Sequence, residues 1–157
     1  MDKQSENLLI DIISNTRIAT LGTIRDEAPR VSLVAYVAAA DFSAFYIHVS
    51  RLAQHTVDMQ KNKQVSLLIT EADDGRADPQ TFARLSIRAS AEFMENGEPG
   101  YAPVKNIYIE RFPASAPLFK LADFGLWRIK PKGAGFVTGL SKAFNLAPET
   151  LQKILQK

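Results

Sequence analysis

The spacing of apolar residues changes period several times along the chain. Leu8, Leu9, Ile12 and Ile13 recur at helical spacing and predict a short helix over residues 5–14, with Ser5 at its N-cap. The β-branched stretch 17–24 predicts a strand, ended by a charged, proline-containing turn over 25–29. Alternation resumes over 30–39. Val31, Leu33, Ala35 and Val37 fall on one face, and Arg30, Ser32, Val34 and Tyr36 on the other. Both faces become apolar toward the end, which predicts a strand covered on two sides. A tight connection at 40–43 leads to a third strand, 44–49, expected to form a hairpin with the second. Ser50 is expected to cap a helix that runs to about Lys61.

The second half continues in the same manner. Residues 64–71 predict a strand and 72–79 a polar loop. Residues 81–94 show the clearest alternation in the chain, with Leu85, Ile87, Ala89 and Ala91 against Arg84, Ser86, Arg88 and Ser90. A helix over 102–111 stops at Pro113, and a short helix follows near 115–120. Strands over 123–130 and 135–140 are expected on either side of Pro131-Lys132-Gly133. Pro148 opens a terminal helix that continues to the end. Strands thus follow strands more often than they alternate with long helices. The predicted class is mainly β (α+β): a single domain over 1–157, with six or seven antiparallel strands and short flanking helices.

Composition narrows the chemistry. Among 157 residues there is no cysteine, which excludes disulfides, thiolate metal sites and cysteine nucleophiles. Two histidines, His48 and His55, are too few for an all-histidine zinc site. A net charge of +2 gives no general footprint for nucleic acid, so any anion site must be local. No apolar run is long enough to span a bilayer. The expectation is a soluble, cytoplasmic protein acting on a small molecule, with neither nucleic acid nor membrane as partner.

Two segments suit anion binding. At Val49-Ser50-Arg51 a strand gives way to a helix, whose free N–H groups, with a hydroxyl and a guanidinium, make an anion corner. Arg30 and Ser32 share one strand face and could converge on the same anion. The alternative at each place is structural: a simple cap at Ser50, or a surface ion pair between Arg30 and Asp26 or Glu27. Arg84 and Arg88 lie on one strand face and are most simply solvated, unless a partner brings a ligand to Arg84. Gly133-Ala134-Gly135 joins two strands and opens no helix, so it fails as a phosphate loop.

These residues, in this order, resemble the FMN-binding split-barrel proteins of the pyridoxamine 5'-phosphate oxidase-like superfamily, and within it the haem-utilisation-associated branch. The resemblance is carried by residues 17–23, 29–34, 45–56, 65–69, 83–87 and 123–129 and spans about 15–140. The segment Phe45 to Thr56 is the most specific. It implies a six-stranded split β-barrel that forms a homodimer with FMN at the interface, acting as an oxidoreductase. The phosphate would be held by Arg30, Val31, Ser32 and Leu33 and by Ser50 and Arg51. Ile47, His48 and Val49 would lie along the ribityl chain and ring, and Arg84 would reach the flavin. Ala35 and Leu52 stand where the oxidase itself carries lysines, and its arginine-rich C-terminal pattern is not evident, which argues against pyridoxamine phosphate as substrate. The alternative cofactor is haem, with His48, His55 or Tyr36 as iron ligand. The haem-degrading relatives use a C-terminal histidine, and no histidine follows His55 here. A flavin-binding module without turnover is the non-enzymatic alternative.

Overall fold

The computed structural model describes residues 1–139 and 142–154. Helix α1 (Lys3–Asn15) buries Leu9, Ile12 and Ile13. Its N-cap is Asp2, not Ser5: the Asp2 carboxylate accepts the Ser5 N–H at 3.0 Å, and a carboxylate serves a helix start at least as well as a hydroxyl.

Strands β1 (Ile18–Arg25) and β2 (Ala28–Ala35) pair along their whole length, from Ile18 opposite Ala35 to Arg25 opposite Ala28. The turn between them is therefore only Asp26-Glu27. Both residues have positive φ, 49° and 63°, as a two-residue hairpin turn that matches strand twist requires. Asp tolerates this region, but Glu does so poorly. The double variant Asp26→Asn/Glu27→Gly is expected to gain about 1 kcal/mol, read as a higher urea midpoint.

The expected hairpin between 30–39 and 44–49 is reduced to a remnant. The chain breaks at Tyr36, and only the two-residue β3 (Val37–Ala38) pairs with β4 (Phe45–Ser50). Tyr36 is fully buried, and its hydroxyl donates to the Ile13 carbonyl at 2.8 Å, which pins the bend to α1. The remaining α-helices and strands are α2 (Gln54–Lys61), β5 (Gln64–Thr70), β6 (Arg84–Phe93), α3 (Tyr101–Arg111), β7 (Phe124–Val137), β8 (Ala143–Leu146) and α4 (Pro148–Lys153), with 3-10 helices at Pro79–Thr81 and Pro113–Lys120, the latter being the short helix expected near 115–120. The antiparallel sheet runs β2-β1-β5-β6-β7-β4-β3, and β8 pairs with β7. One residue separates β2 from β3 in the chain, yet they stand at opposite edges of the sheet. The sheet must therefore curl until its edges approach, which makes a barrel split along one seam.

Two local expectations change. Residues 124–137 form one strand instead of two, because Pro131 sits at a bulge. Arg88 pairs with Gly133 and Ala89 with Pro131, so Lys132 is passed over and the missing N–H costs no ladder bond. Strand β8, four residues long, carries too short a pattern to be foreseen. Leu140, assigned to a strand, and residues 155–157, assigned to the terminal helix, lie outside the described residues.

The main core fills the barrel with Leu21, Phe45, Ile47, Leu67, Leu85 and Phe136, among others. A smaller core, with Met94, Val104, Tyr108 and Leu126, lies under α3. Among the described residues no helix is long and apolar enough to cross a membrane.

Candidate functional site

Charged residues gather around α2. Alternation in β1 turns Thr23 inward with Ala19 and Leu21, and a buried hydroxyl needs a partner. That partner is Asp58 of α2, 2% exposed. Its carboxylate accepts from Thr23 Oγ1 at 2.9 Å and from Arg25 Nε at 2.7 Å. Arg25 Nη2 also donates to the Gln54 carbonyl at 3.2 Å, so the guanidinium ties β1 to the start of α2. Burial alone would raise the Asp58 carboxyl, but the hydrogen bonds from Arg25 and Thr23, and the charges of Arg25 and Arg30, hold it below the ordinary carboxylate range. Arg30, which acts on Asp58 only through its field, is exposed and makes no ion pair among the described residues.

Ser50 does not cap α2. The N-cap is Ala53, which has no side-chain bond to the helix. Ser50 instead turns the chain three residues earlier: its Oγ accepts the Leu52 N–H at 3.1 Å, and its carbonyl accepts from Thr56 Oγ1 at 2.7 Å. The Ser50 hydroxyl donates to Asp123 Oδ2 at 3.3 Å, and the Arg51 N–H donates to the Asp123 carbonyl. The exposed Arg51 lays its guanidinium over the Phe93 ring, 5.7 Å from the centroid, beside a 270 Å³ cavity that also takes in Tyr101, Phe119 and Lys120. The corner thus joins a helix start, Arg30 and Arg51, but it also includes a carboxylate.

The second feature is the outer face of the sheet. The register places Leu33, Thr20, Leu68 and Ser86 side by side across four strands, with Val31, Gly22, Ser66 and Arg88 in the adjoining row. Val31 is 75% exposed, Leu33 68% and Ile18 51%, so the face expected to be covered is bare in a single chain. Gly22 keeps its centre flat: a Cβ there would stand 2.3 Å from Ser66 Oγ. At one end the face opens into a 730 Å³ groove, where Ile18, Leu33 and Leu68 meet Arg17 and the acidic loop at Asp73 and Asp74. Arg88 carries no ion pair among the described residues, and its side chain lies over Gly133. Arg84, on the same face, is tied back by Nη1 to the carbonyls of Gln80 at 3.0 Å and Phe82 at 3.2 Å.

The structure therefore brings Arg30, Ser50 and Arg51 to the surroundings of α2, and Val31, Leu33 and Arg84 to the outer face. Ser32 is half-buried on the inward side of β2. The side chains of Ile47 and Val49 point into the main core, away from both features. His48 belongs to the smaller core: its ring stacks on Phe119 at 3.7 Å, nearly parallel, and meets Tyr108 edge-on. Its Nδ1 is buried without a partner. Desolvation, aided by the Lys105 charge, pushes its pKa down to about 4. The unfolded chain then takes up the proton near 6.5, before the folded one does. The contribution of His48 to stability is whole above that pH and fades toward pH 4, by about 3 kcal/mol in all. His48→Phe is expected to flatten the decline in melting temperature between pH 6.5 and 4, as measured by circular dichroism.

Sequence reading missed Arg25, Asp58 and Asp123. The inward Thr23 was the available signal for Asp58. Asp123 lies within the 123–129 segment that carries the resemblance, but its contact with Ser50 depends on the pairing of β4 with β7, Ser50 opposite Phe124.

A barrel split along one seam defines the split-barrel class of fold. The chain belongs to the pyridoxamine 5'-phosphate oxidase family, whose model matches residues 8–138. It is 33% identical over 116 residues to the non-canonical haem oxygenase HOZ of Arabidopsis thaliana chloroplasts, covering 74% of this chain and 34% of that protein. It is 30% identical over 126 residues to the haem oxygenase HutZ of Vibrio cholerae, covering 78% of this chain and 69% of that one. The chain thus spans about a third of the chloroplast protein and about two thirds of HutZ. In fold it is similar to a haem-binding protein from Mycobacterium smegmatis (TM-score 0.84, 22% identity, 98% of this chain and 62% of that one). These relatives support the haem-utilisation branch of the family.

Proposed function

We propose that the protein binds haem on the outer face of its sheet, with a second copy of the chain closing over the ring. The carrying observation is the bare apolar strip of Ile18, Val31, Leu33 and Leu68, which is flat at Gly22 and runs into a groove large enough for a planar macrocycle. A monomer seldom leaves such a strip to water, and a partner copy would bury it together with the ligand. Arg88, in the same row as Val31 and Gly22, has no ion pair among the described residues and suits a propionate. The haem functions named for HOZ and HutZ point the same way. Bound haem supplies redox-active iron. The chain's own residues provide an apolar bed, charge pairing and exclusion of water.

Of the three side chains expected as iron ligands, two are committed elsewhere. The Tyr36 hydroxyl is buried and bonded to Ile13, and His48 is enclosed by aromatic rings. His55 is half-buried on α2, and its Nε2 is enclosed with no hydrogen-bond partner, so that a ligand bond is the contact it lacks. Titration with haem is expected to give a saturable Soret band on a dimer. His55→Ala should move that band, whereas His48→Phe and Tyr36→Phe should leave it in place. Loss of the Soret band on adding a reductant in air would extend the reading from haem binding to haem degradation. A flat titration would sink it.

FMN is the second reading. It is favoured by Arg30 and by the α2 start, where Ala53 caps without a side chain and leaves N–H groups for an anion. On that reading the protein is a flavin oxidoreductase or a flavin-binding module, and FMN would stay with it through a desalting column.

A further inference from the structure

The anion corner contains its own anion. Ser50 has one hydroxyl proton, and it is directed at the Asp123 carboxylate, 3.3 Å away. The lone-pair side of the same hydroxyl is taken by the Leu52 N–H. Asp123 is not a loose surface acid. Its carbonyl accepts the Arg51 N–H, and the residue after it, Phe124, is paired with Ser50 at the start of β7, so the carboxylate is held against the turn. Neither nearby guanidinium neutralises it: Arg51 lies over Phe93, and Arg30 acts on Asp58 from the β2 side of the helix. A phosphate dianion at this helix start would lose the serine proton and face a fixed like charge, and a juxtaposed like charge is how binding sites reject a competitor. A ligand seated on the outer face, with a carboxylate at Arg88, leaves the corner empty of further charge.

We infer that Asp123 is a selectivity residue that, through its contact with Ser50, turns the α2 corner against phosphate-bearing ligands such as FMN. The inference deepens the haem reading above, but it is tested separately from it. The experiment measures FMN, riboflavin and haem affinity of the full chain, wild type, Asp123→Asn and Asp123→Ser, by flavin fluorescence quenching and by Soret titration. Asparagine retains an acceptor for the Ser50 hydroxyl and the backbone carbonyl for Arg51, and it removes only the charge. The expected result is FMN binding at least tenfold tighter in Asp123→Asn, with riboflavin and haem unchanged. Asp123→Ser is included in case the amide disturbs the turn, and should move FMN in the same direction. Equal changes for FMN and riboflavin, or no gain in FMN for either variant, overturns the inference. Wild-type protein that binds no haem, with the FMN gain still present, would remove the haem reading and leave the selectivity role standing.

Discussion

An Asp58→Ala protein is expected to lose about 3 kcal/mol of stability, one of the two largest effects that single substitutions should produce in this molecule. The carboxylate is 2% exposed and satisfies two donors from β1. Its removal leaves Thr23 Oγ1 buried without an acceptor and Arg25 without its ion-pair partner, and the partly exposed guanidinium softens the loss by reaching water. Because the folded carboxyl titrates below its ordinary range, this contribution is complete at neutral pH. It is lost only as pH falls through the folded pKa, so the acid limb of the stability curve should shorten in the variant. Asp58→Asn should cost less, since the amide oxygen still accepts one bond. Urea unfolding of the three proteins at pH 7, and again below the ordinary carboxyl pKa of 3.8, where the folded carboxyl titrates, measures both statements. An Asp58→Ala midpoint equal to wild type would mean that α2 is held to β1 by packing alone.

Leu33→Glu is the second. In a single chain Leu33 is 68% exposed, so the change should leave the monomer folded with a normal melting curve. In the proposed dimer the same side chain faces the partner and the ring. A buried, unpaired carboxylate there should weaken association more than a hundredfold, about 3 kcal/mol, and abolish haem retention. Light scattering at micromolar concentration would report a monomer. A Leu33→Glu protein that still runs as a dimer and keeps its Soret band would show that the outer face of β2 is not the contact.

The sequence revealed periodic elements well and long-range pairings poorly. Alternation over 81–94 and 64–71 identified β6 and β5, because one face of each is buried and the other is not. The joint at Tyr36 was hidden: Arg30 to Ala39 alternates without interruption, and only the burial of Tyr36 against α1 divides it into strands at opposite edges of the sheet. Pro131 suggested a strand end, yet a bulge absorbs it, and a bulge depends on the partner strand. At the site, Arg30, Ser50 and Arg51 were legible as residue types suited to anions near a helix start. Ser50 was misread as the cap because Leu52 and Asp123 compete for its hydroxyl, and Asp123 lies 73 positions away in the chain. Val31 and Leu33 were read as covered. A single chain leaves them bare, and this difference is what motivates the dimer.

The outer face is expected to hold haem while the α2 corner rejects FMN. The most direct measurement passes the protein, after incubation with equimolar haem and FMN together, through a desalting column, and records the visible spectrum and the light-scattering mass of the eluate. The expected eluate shows a Soret band, no flavin bands and a mass of two chains. Flavin bands retained without a Soret band would contradict it and return the anion corner to a phosphate-binding role.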